Sequence, residues 1–77
     1  MLARLVRLQE AASGLDRAVR LDPGSAAAWM ELAAARGRQG KDAAAFQDAE
    51  RCLRLHPKDA RCANLRRQAR RALGRSP

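Results

Sequence analysis

The chain has 77 residues, of which 47% are hydrophobic and only 3% are aromatic. This length allows one small domain with few core side chains or a fragment of a longer array, and it excludes two independent domains and disfavours a large enclosed active site. Basic residues outnumber acidic ones by 16 to 8, and the excess follows Glu50, where Asp59 is the single acid. Abundant alanine and scarce aromatic residues favour closely packed helices over a β-sheet, so we predict an all-α fold.

The first predicted helix covers residues 2–21. Its apolar residues recur at spacings of three and four, as on one face of an amphipathic helix. They are Leu5, Leu8, Ala12, Leu15 and Val19. Because Pro23 cannot continue a helix, we expect the helix to end before it.

The second and third predicted helices form a pair joined by a short glycine turn. Ser25 is a suitable N-cap for the second helix, and Gly37 and Gly40 are expected to end it. Asp42 is predicted to cap the third helix, which stops before Pro57. The apolar faces comprise Trp29, Leu32 and Ala33 on the second helix and Ala45, Phe46, Ala49, Cys52 and Leu53 on the third. A brief connection of this kind requires the two helices to be antiparallel.

The fourth predicted helix covers residues 60–73, with Asp59 as its N-cap. One face is apolar and the remainder is rich in arginine, so we expect a helix that closes the C-terminal end of the fold. The apolar residues are Cys62, Leu65, Ala69, Ala72 and Leu73.

Two segments of the chain match each other at an offset of 34 residues. Residues 16–26 read DRAVRLDPGSA, and residues 50–60 read ERCLRLHPKDA. The identical pairs are Arg17/Arg51, Arg20/Arg54, Leu21/Leu55, Pro23/Pro57 and Ala26/Ala60. A 34-residue period built from two helices is that of the tetratricopeptide repeat, and the chain resembles that family.

The resemblance continues through residues 26–59. Trp29 and Leu32 occupy the large and leucine positions of the family's first helix, whereas Arg36 and Asp42 replace apolar or aromatic residues. The resemblance implies a short right-handed α-α superhelix of about four antiparallel helices. The expected parts are a partial repeat at 1–24, a full repeat at 25–58 and a capping helix at 59–74. We expect a structural core of Leu15, Trp29, Leu32, Ala45, Phe46, Cys52 and Leu53.

The sequence predicts neither catalysis nor a bound metal or cofactor. His56 is the single histidine, no glycine-rich phosphate loop occurs, and the carboxylates are expected at helix caps and solvent faces. Cys52 and Cys62 lack the CxxC spacing of zinc sites and redox pairs, so we expect reduced core cysteines. Arginines interrupt the apolar start of the chain, and no long apolar run exists, so we expect a cytoplasmic protein without a membrane span.

The resemblance implies a protein-protein interaction module, because the first helices of such repeats line a concave groove. A peptide would bind there through Met30, Ala34, Arg61, Asn64, Gln68 and Arg71. Some members of the family hold an acidic C-terminus with a lysine and an asparagine. Met30 and Ala34 stand at those positions, which disfavours that particular partner.

Two alternative functions follow from other surfaces. Four arginines of the last helix form a basic arc that suits a polyanion, namely Arg66, Arg67, Arg70 and Arg71. Nucleic acid is the less favoured partner, because the aromatic residues that stack on bases are missing. The first helix offers Leu2, Leu5 and Leu8 for a homodimer, since a partial repeat leaves an apolar face uncovered.

Overall fold

The computed structural model describes the backbone of residues 2–75 and the side chains of residues 6–75. Four helices follow one another in chain order: α1 (Leu2–Leu21), α2 (Ala26–Arg38), α3 (Asp42–Leu55) and α4 (Ala60–Arg75). Each helix runs antiparallel to the one before it, as predicted, and the fold is all-α. The last helix continues two residues beyond its predicted end.

Helix α2 lies at the centre of the molecule. It packs against α1 on one side and against α3 and α4 on the other, while α4 packs against both α3 and α2. Within the described residues, α1 packs against α2 alone. The central position of α2 therefore decides which surfaces the other helices leave open.

The connection from α1 to α2 is held by side chains. The Ser25 hydroxyl accepts the Ala28 amide at 3.2 Å, which confirms the predicted N-cap. The indole nitrogen of Trp29 donates to the Pro23 carbonyl at 2.8 Å. This bond satisfies the polar atom of a buried ring and attaches the loop to the first turn of α2.

The turn between α2 and α3 depends on one glycine. Gly40 has a φ of +78°, a conformation that side chains rarely adopt. The Lys41 amide donates to the Arg36 carbonyl at 2.9 Å, and the Gly40 amide donates to the Gly37 carbonyl at 3.1 Å. These two bonds form a Schellman motif.

The prediction that Asp42 caps α3 is wrong by one residue. The Schellman motif runs directly into α3, so the N-cap position falls on Lys41, which makes no side-chain cap hydrogen bond. Asp42 is the first residue of the helix, where its negative charge suits the positive end of the helix dipole. At α4 the prediction is confirmed, since the Asp59 carboxylate accepts the amides of Arg61 at 2.9 Å and Cys62 at 3.3 Å.

The core forms where α2 meets its three neighbours. Its buried side chains are Val19, Ala26, Trp29, Leu32, Cys52 and Cys62. Of the expected core residues, Ala45 is also buried, Phe46 is half-buried, and Leu15 and Leu53 are partly buried against this cluster. The core is built mostly from small residues, which is why the helices lie close together.

The prediction of reduced cysteines is wrong. Cys52 and Cys62 form a disulfide that joins the last turns of α3 to the first turn of α4, with 6.2 Å between their Cα atoms. The chain reverses at Pro57, and this reversal brings two residues ten positions apart into contact. The sequence spacing alone did not indicate it.

Candidate binding groove and basic helix face

A cleft of about 320 Å³ lies between α2, the start of α3 and α4. Helix α2 contributes three small residues and one arginine, and α4 contributes one large apolar side chain. The lining residues are Ala33, Ala34, Gly37, Arg38, Asp42, Ala45, Leu65, Gln68 and Ala69. A Cβ atom built on Gly37 meets nothing within 4 Å, so the cleft is open above that residue.

The chemistry of the cleft is an apolar floor with a polar rim. Ala34 and Leu65 offer apolar surface, while the Arg38, Asp42 and Gln68 side chains supply charged and amide groups at the edge. Small floor residues let the backbone of a bound chain approach closely, and rim groups of both polarities can bind its carbonyl and amide groups. The cleft therefore combines apolar surface with groups that can donate and accept hydrogen bonds.

The structure brings together only part of the predicted peptide-binding set. Ala34 and Gln68 line the cleft, one from each wall. Met30 is partly buried against the core cluster instead of lying free. Arg61, Asn64 and Arg71 are exposed on α4 but do not line the cleft.

The four arginines of the predicted polyanion site are all exposed on α4. They are Arg66, Arg67, Arg70 and Arg71. Within residues 6–75, no carboxylate lies within 4.0 Å of any of their guanidinium groups. The opposite side of the helix buries Cys62 and Ala69, so the helix presents a small apolar side inward and a basic side outward.

Sequence reasoning missed an ion-pair network that connects α1, α2 and α3. Arg36 Nη1 donates to Asp48 Oδ2 at 2.8 Å, and Arg36 Nη2 donates to Asp16 Oδ1 at 3.3 Å. Asp48 is 3% exposed, which contradicts the expectation that the carboxylates lie at caps and solvent faces. A signal existed in the sequence, because Asp48 falls within the buried stripe of α3 that Ala45 and Cys52 define.

Burial raises the pKa of Asp48 above its ordinary value of 3.8. The charges of Arg36 and Arg51 and the hydrogen bond from Arg36 oppose this rise, while the charge of Asp16 adds to it. Removal of the carboxylate from water therefore outweighs its pairing. This network connects α1, α2 and α3 through one arginine.

A second arginine contact involves residues that do not line the cleft. The Arg51 guanidinium stands 4.8 Å from the centroid of the Trp29 ring, within the range of a cation–π interaction. It connects α3 to the buried indole of α2. Together with the Arg36 network, it uses basic residues for structure, with Arg36 in the part of the chain that carries no excess charge and Arg51 at the start of the basic part.

The predicted dimer face is only partly described. The side chains of Leu2 and Leu5 lie outside the described residues, and Leu8 is half-buried. Two other apolar side chains of α1 are exposed, Val6 by 50% and Leu21 by 80%. In the part of the chain that the structure describes, no helix combines the length and apolar character needed to cross a membrane.

No protein-family model matches the chain, and neither the curated proteins nor the solved structures give a significant match. The comparisons therefore support no family assignment. Any assignment depends on the internal repeat and on how the helices pack.

Proposed function

We propose that the chain is a tetratricopeptide-like, non-enzymatic interaction module that binds a peptide segment of a partner protein in the cleft between α2 and α4. The observation that carries the proposal is the cleft itself, which has small residues on its α2 wall and an amide group on its α4 wall. In a helical repeat, the first helices of successive units face the ligand.

The helix boundaries support the repeat. Helices α2 and α4 begin at Ala26 and Ala60, and helices α1 and α3 end at Leu21 and Leu55, so both pairs are offset by 34 residues. Helix α2 also packs against α4, as the proposed repeat requires of the first helices of adjacent units. All the residues that line the cleft belong to helices, so the packing of the helices is sufficient to form it.

The charge near the cleft favours a partner segment with acidic residues. Arg38 lies on the rim, and the exposed arginines of α4 continue beyond it. An extended peptide would place small or apolar side chains over Ala34 and Leu65 and acidic groups toward α4. The proposed partner is therefore an acidic segment with short apolar side chains.

The test is to fill the cleft without changing the fold. Gly37→Leu places a side chain into open space at the cleft, and Gly14→Leu is the matched control, because a Cβ atom at Gly14 also meets nothing within 4 Å. Peptides selected on the wild-type chain from a random display library serve as probes. We expect Gly37→Leu to weaken their binding roughly tenfold or more, the loss of about 1.4 kcal/mol, and Gly14→Leu to leave it unchanged. Equal binding to both variants, or a library that yields no binder, contradicts the proposal.

The second candidate function is polyanion binding by the outer side of α4. It is favoured by four exposed guanidinium groups that lie beyond 4.0 Å of every carboxylate among residues 6–75. Contacts of this kind bind phosphates without sequence specificity, and each released counterion steepens the dependence of affinity on salt. The helix would then act as an electrostatic docking surface.

The salt dependence of binding to a heparin-like polyanion or a DNA duplex tests this candidate. Arg66→Gln with Arg70→Gln should lower the slope of log affinity against log salt by about two. Arg7→Gln with Arg17→Gln removes the same charge from exposed positions of α1 and should leave the slope nearly unchanged. If both double variants lower the slope equally, the polyanion is attracted by the net charge of the chain and not by the arginines of α4.

A further inference from the structure

Three side-chain atoms that can bind a metal meet at the junction of α3 and α4. The sulfurs of Cys52 and Cys62 and a carboxylate oxygen of Asp59 all lie within 4.8 Å of one another. Both cysteines are 0% exposed, and the Asp59 side chain is 21% exposed. The cluster is therefore buried on its sulfur side and open to solvent on its carboxylate side.

The helix ends hold these groups in place. Cys52 lies in the last turns of α3, and its carbonyl accepts the His56 amide at 2.8 Å. Asp59 is the N-cap of α4, and one of its oxygens accepts two backbone amides, which orients the carboxylate. Cys62 follows in the first turn of α4 and is thereby presented to the same point.

We propose that reduction of the Cys52–Cys62 disulfide creates a zinc site formed by the two thiolates and the Asp59 carboxylate. A dithiol reductant supplies the two electrons and two protons, its own sulfurs pair to a disulfide, and the bond between Cys52 and Cys62 breaks into two thiols. Binding of Zn²⁺ then displaces the two thiol protons to solvent. In the reverse step a small-molecule disulfide accepts two electrons from the two thiolates and two protons from solvent and becomes two thiols, while the Cys52–Cys62 bond forms again and Zn²⁺ is released.

The ligand types and charges suit zinc. Zn²⁺ binds thiolate at about 2.3 Å and carboxylate at about 2.0–2.2 Å, usually in tetrahedral geometry. Three protein ligands leave the fourth position for water, on the side where Asp59 reaches solvent. Two thiolates and a carboxylate carry three negative charges, so the occupied site has a net charge of −1. A negative charge is favourable at the N-terminus of α4.

Either cross-link would attach α4 to the rest of the fold. Among the described residues of this helix, only Cys62 and Ala69 are fully buried, so a cross-link at Cys62 acts at one of its two innermost positions. The disulfide makes the attachment under oxidising conditions, and the metal makes it under reducing conditions. This inference concerns the α3–α4 junction and stands independently of what binds in the cleft.

The experiment is a Zn²⁺ titration of the full chain against a chromophoric chelator, before and after reduction. A trialkylphosphine is the reductant, because it becomes a phosphine oxide with oxygen from water and adds no competing thiol. We expect one Zn²⁺ per reduced chain and none per oxidised chain. Asp59→Asn keeps a residue that caps helices well but should weaken zinc binding roughly tenfold or more. Asp42→Asn, which changes a carboxylate at the start of α3, should bind zinc like the wild type.

Two results overturn the proposal. One is a reduced chain that keeps its helical circular dichroism but binds Zn²⁺ no better than the oxidised chain. The other is equal zinc affinity in Asp59→Asn and Asp42→Asn. If reduction unfolds the chain, added Zn²⁺ must restore the helical signal, since a ligand that binds only the folded state shifts the equilibrium toward it. Failure to restore the signal also overturns the proposal.

Discussion

The Arg36 guanidinium donates to the Asp48 carboxylate at 2.8 Å and so joins the central helix to α3 at a nearly inaccessible point. Its other nitrogen reaches Asp16 of α1, which also pairs with Arg20 at 2.9 Å. One side chain thus fixes the relative positions of three helices. It does so at a position where the resemblance to tetratricopeptide repeats leads one to expect an apolar or aromatic residue.

Replacement of Arg36 should destabilise the fold strongly. Arg36→Met keeps the aliphatic part of the side chain but leaves the Asp48 charge buried without its partner. We expect the free energy of unfolding at neutral pH to fall by about 3 kcal/mol, the lower end for a broken buried pair, because Arg36 is 25% exposed. Urea denaturation measures the change, and Arg38→Met on the exposed side of α2 is the control.

Simultaneous replacement of both partners should recover most of that stability. Arg36→Met with Asp48→Leu removes the buried charge as well as its partner, and apolar pairs of similar volume commonly match or exceed buried ion pairs. Asp16 keeps Arg20 as its partner in this variant. A double variant as unstable as Arg36→Met alone would show that the arginine acts through packing and not through the Asp48 charge.

The raised pKa of Asp48 predicts a definite sign of pH dependence. Between 3.8 and the higher pKa of the folded state, the folded chain binds more protons than the unfolded chain. The contribution of Asp48 to the free energy of unfolding is therefore fully present below pH 3.8 and is lost as the pH rises through the folded-state pKa. The Asp48→Asn variant has no titrating carboxyl at this position, so its stability lacks this pH-dependent contribution.

The comparison is made by chemical denaturation of the wild type and Asp48→Asn from acidic to neutral pH. We expect the stability of the wild type relative to the variant to decrease as the pH increases. The difference between the two chains isolates Asp48, because the other carboxylates are common to both. A relative stability that increases with pH would mean that pairing with Arg36 outweighs burial.

Trp29 should stabilise the fold in two ways, through the apolar contacts of its ring and through the hydrogen bond of its indole nitrogen. The side chain is 7% exposed, and Trp29→Ala should lower the free energy of unfolding by about 3–5 kcal/mol, as for other large buried side chains. Trp29→Phe keeps most of the apolar contact but removes the donor to the Pro23 carbonyl. Because Pro23 is exposed and water can replace the donor, we expect a loss of about 0.5–1.5 kcal/mol from the hydrogen bond. Thermal unfolding followed by circular dichroism measures both. A Trp29→Phe variant as stable as the wild type would show that the hydrogen bond to Pro23 does not stabilise the fold.

The disulfide should stabilise the fold by restricting the unfolded chain. Its partners are ten positions apart, and loop closure of this length corresponds to about 2–3 kcal/mol. Reduction in the presence of a metal chelator should lower the free energy of unfolding by that amount. Cys52→Ala with Cys62→Ala is the control, because its stability must not respond to the reductant. Equal stability of oxidised and reduced chains would mean that the bond adds no constraint.

Local patterns predicted the helices well because each helix carries its own apolar face and is bounded by residues that begin or end helices. Ser25 and Asp59 cap as expected, and Pro23 and Pro57 fall in the loops. The apolar spacing set the buried side of each helix. The placement of Asp42 failed because the conformation of Gly40 decides where the following helix starts, and local residue preferences do not show it.

The site was predicted less completely because it depends on contacts between helices. Met30 was expected in the groove, but α2 has neighbours on several sides, and few of its residues remain outward. The cysteine pair and the Arg36–Asp48 pair were missed for the same reason. Each joins residues from different helices, and their proximity depends on the packing and not on the spacing along the chain.

The most direct test of the proposed interaction function is a map of backbone amide chemical shifts of the ¹⁵N-labelled chain as a selected peptide is added. We predict the largest shifts at Ala33, Ala34 and Gly37 of α2 and at Gln68 of α4, because these residues line the cleft. Shifts confined to α1, or to the outer arginines Arg66 and Arg70, would contradict binding in the cleft between α2 and α4.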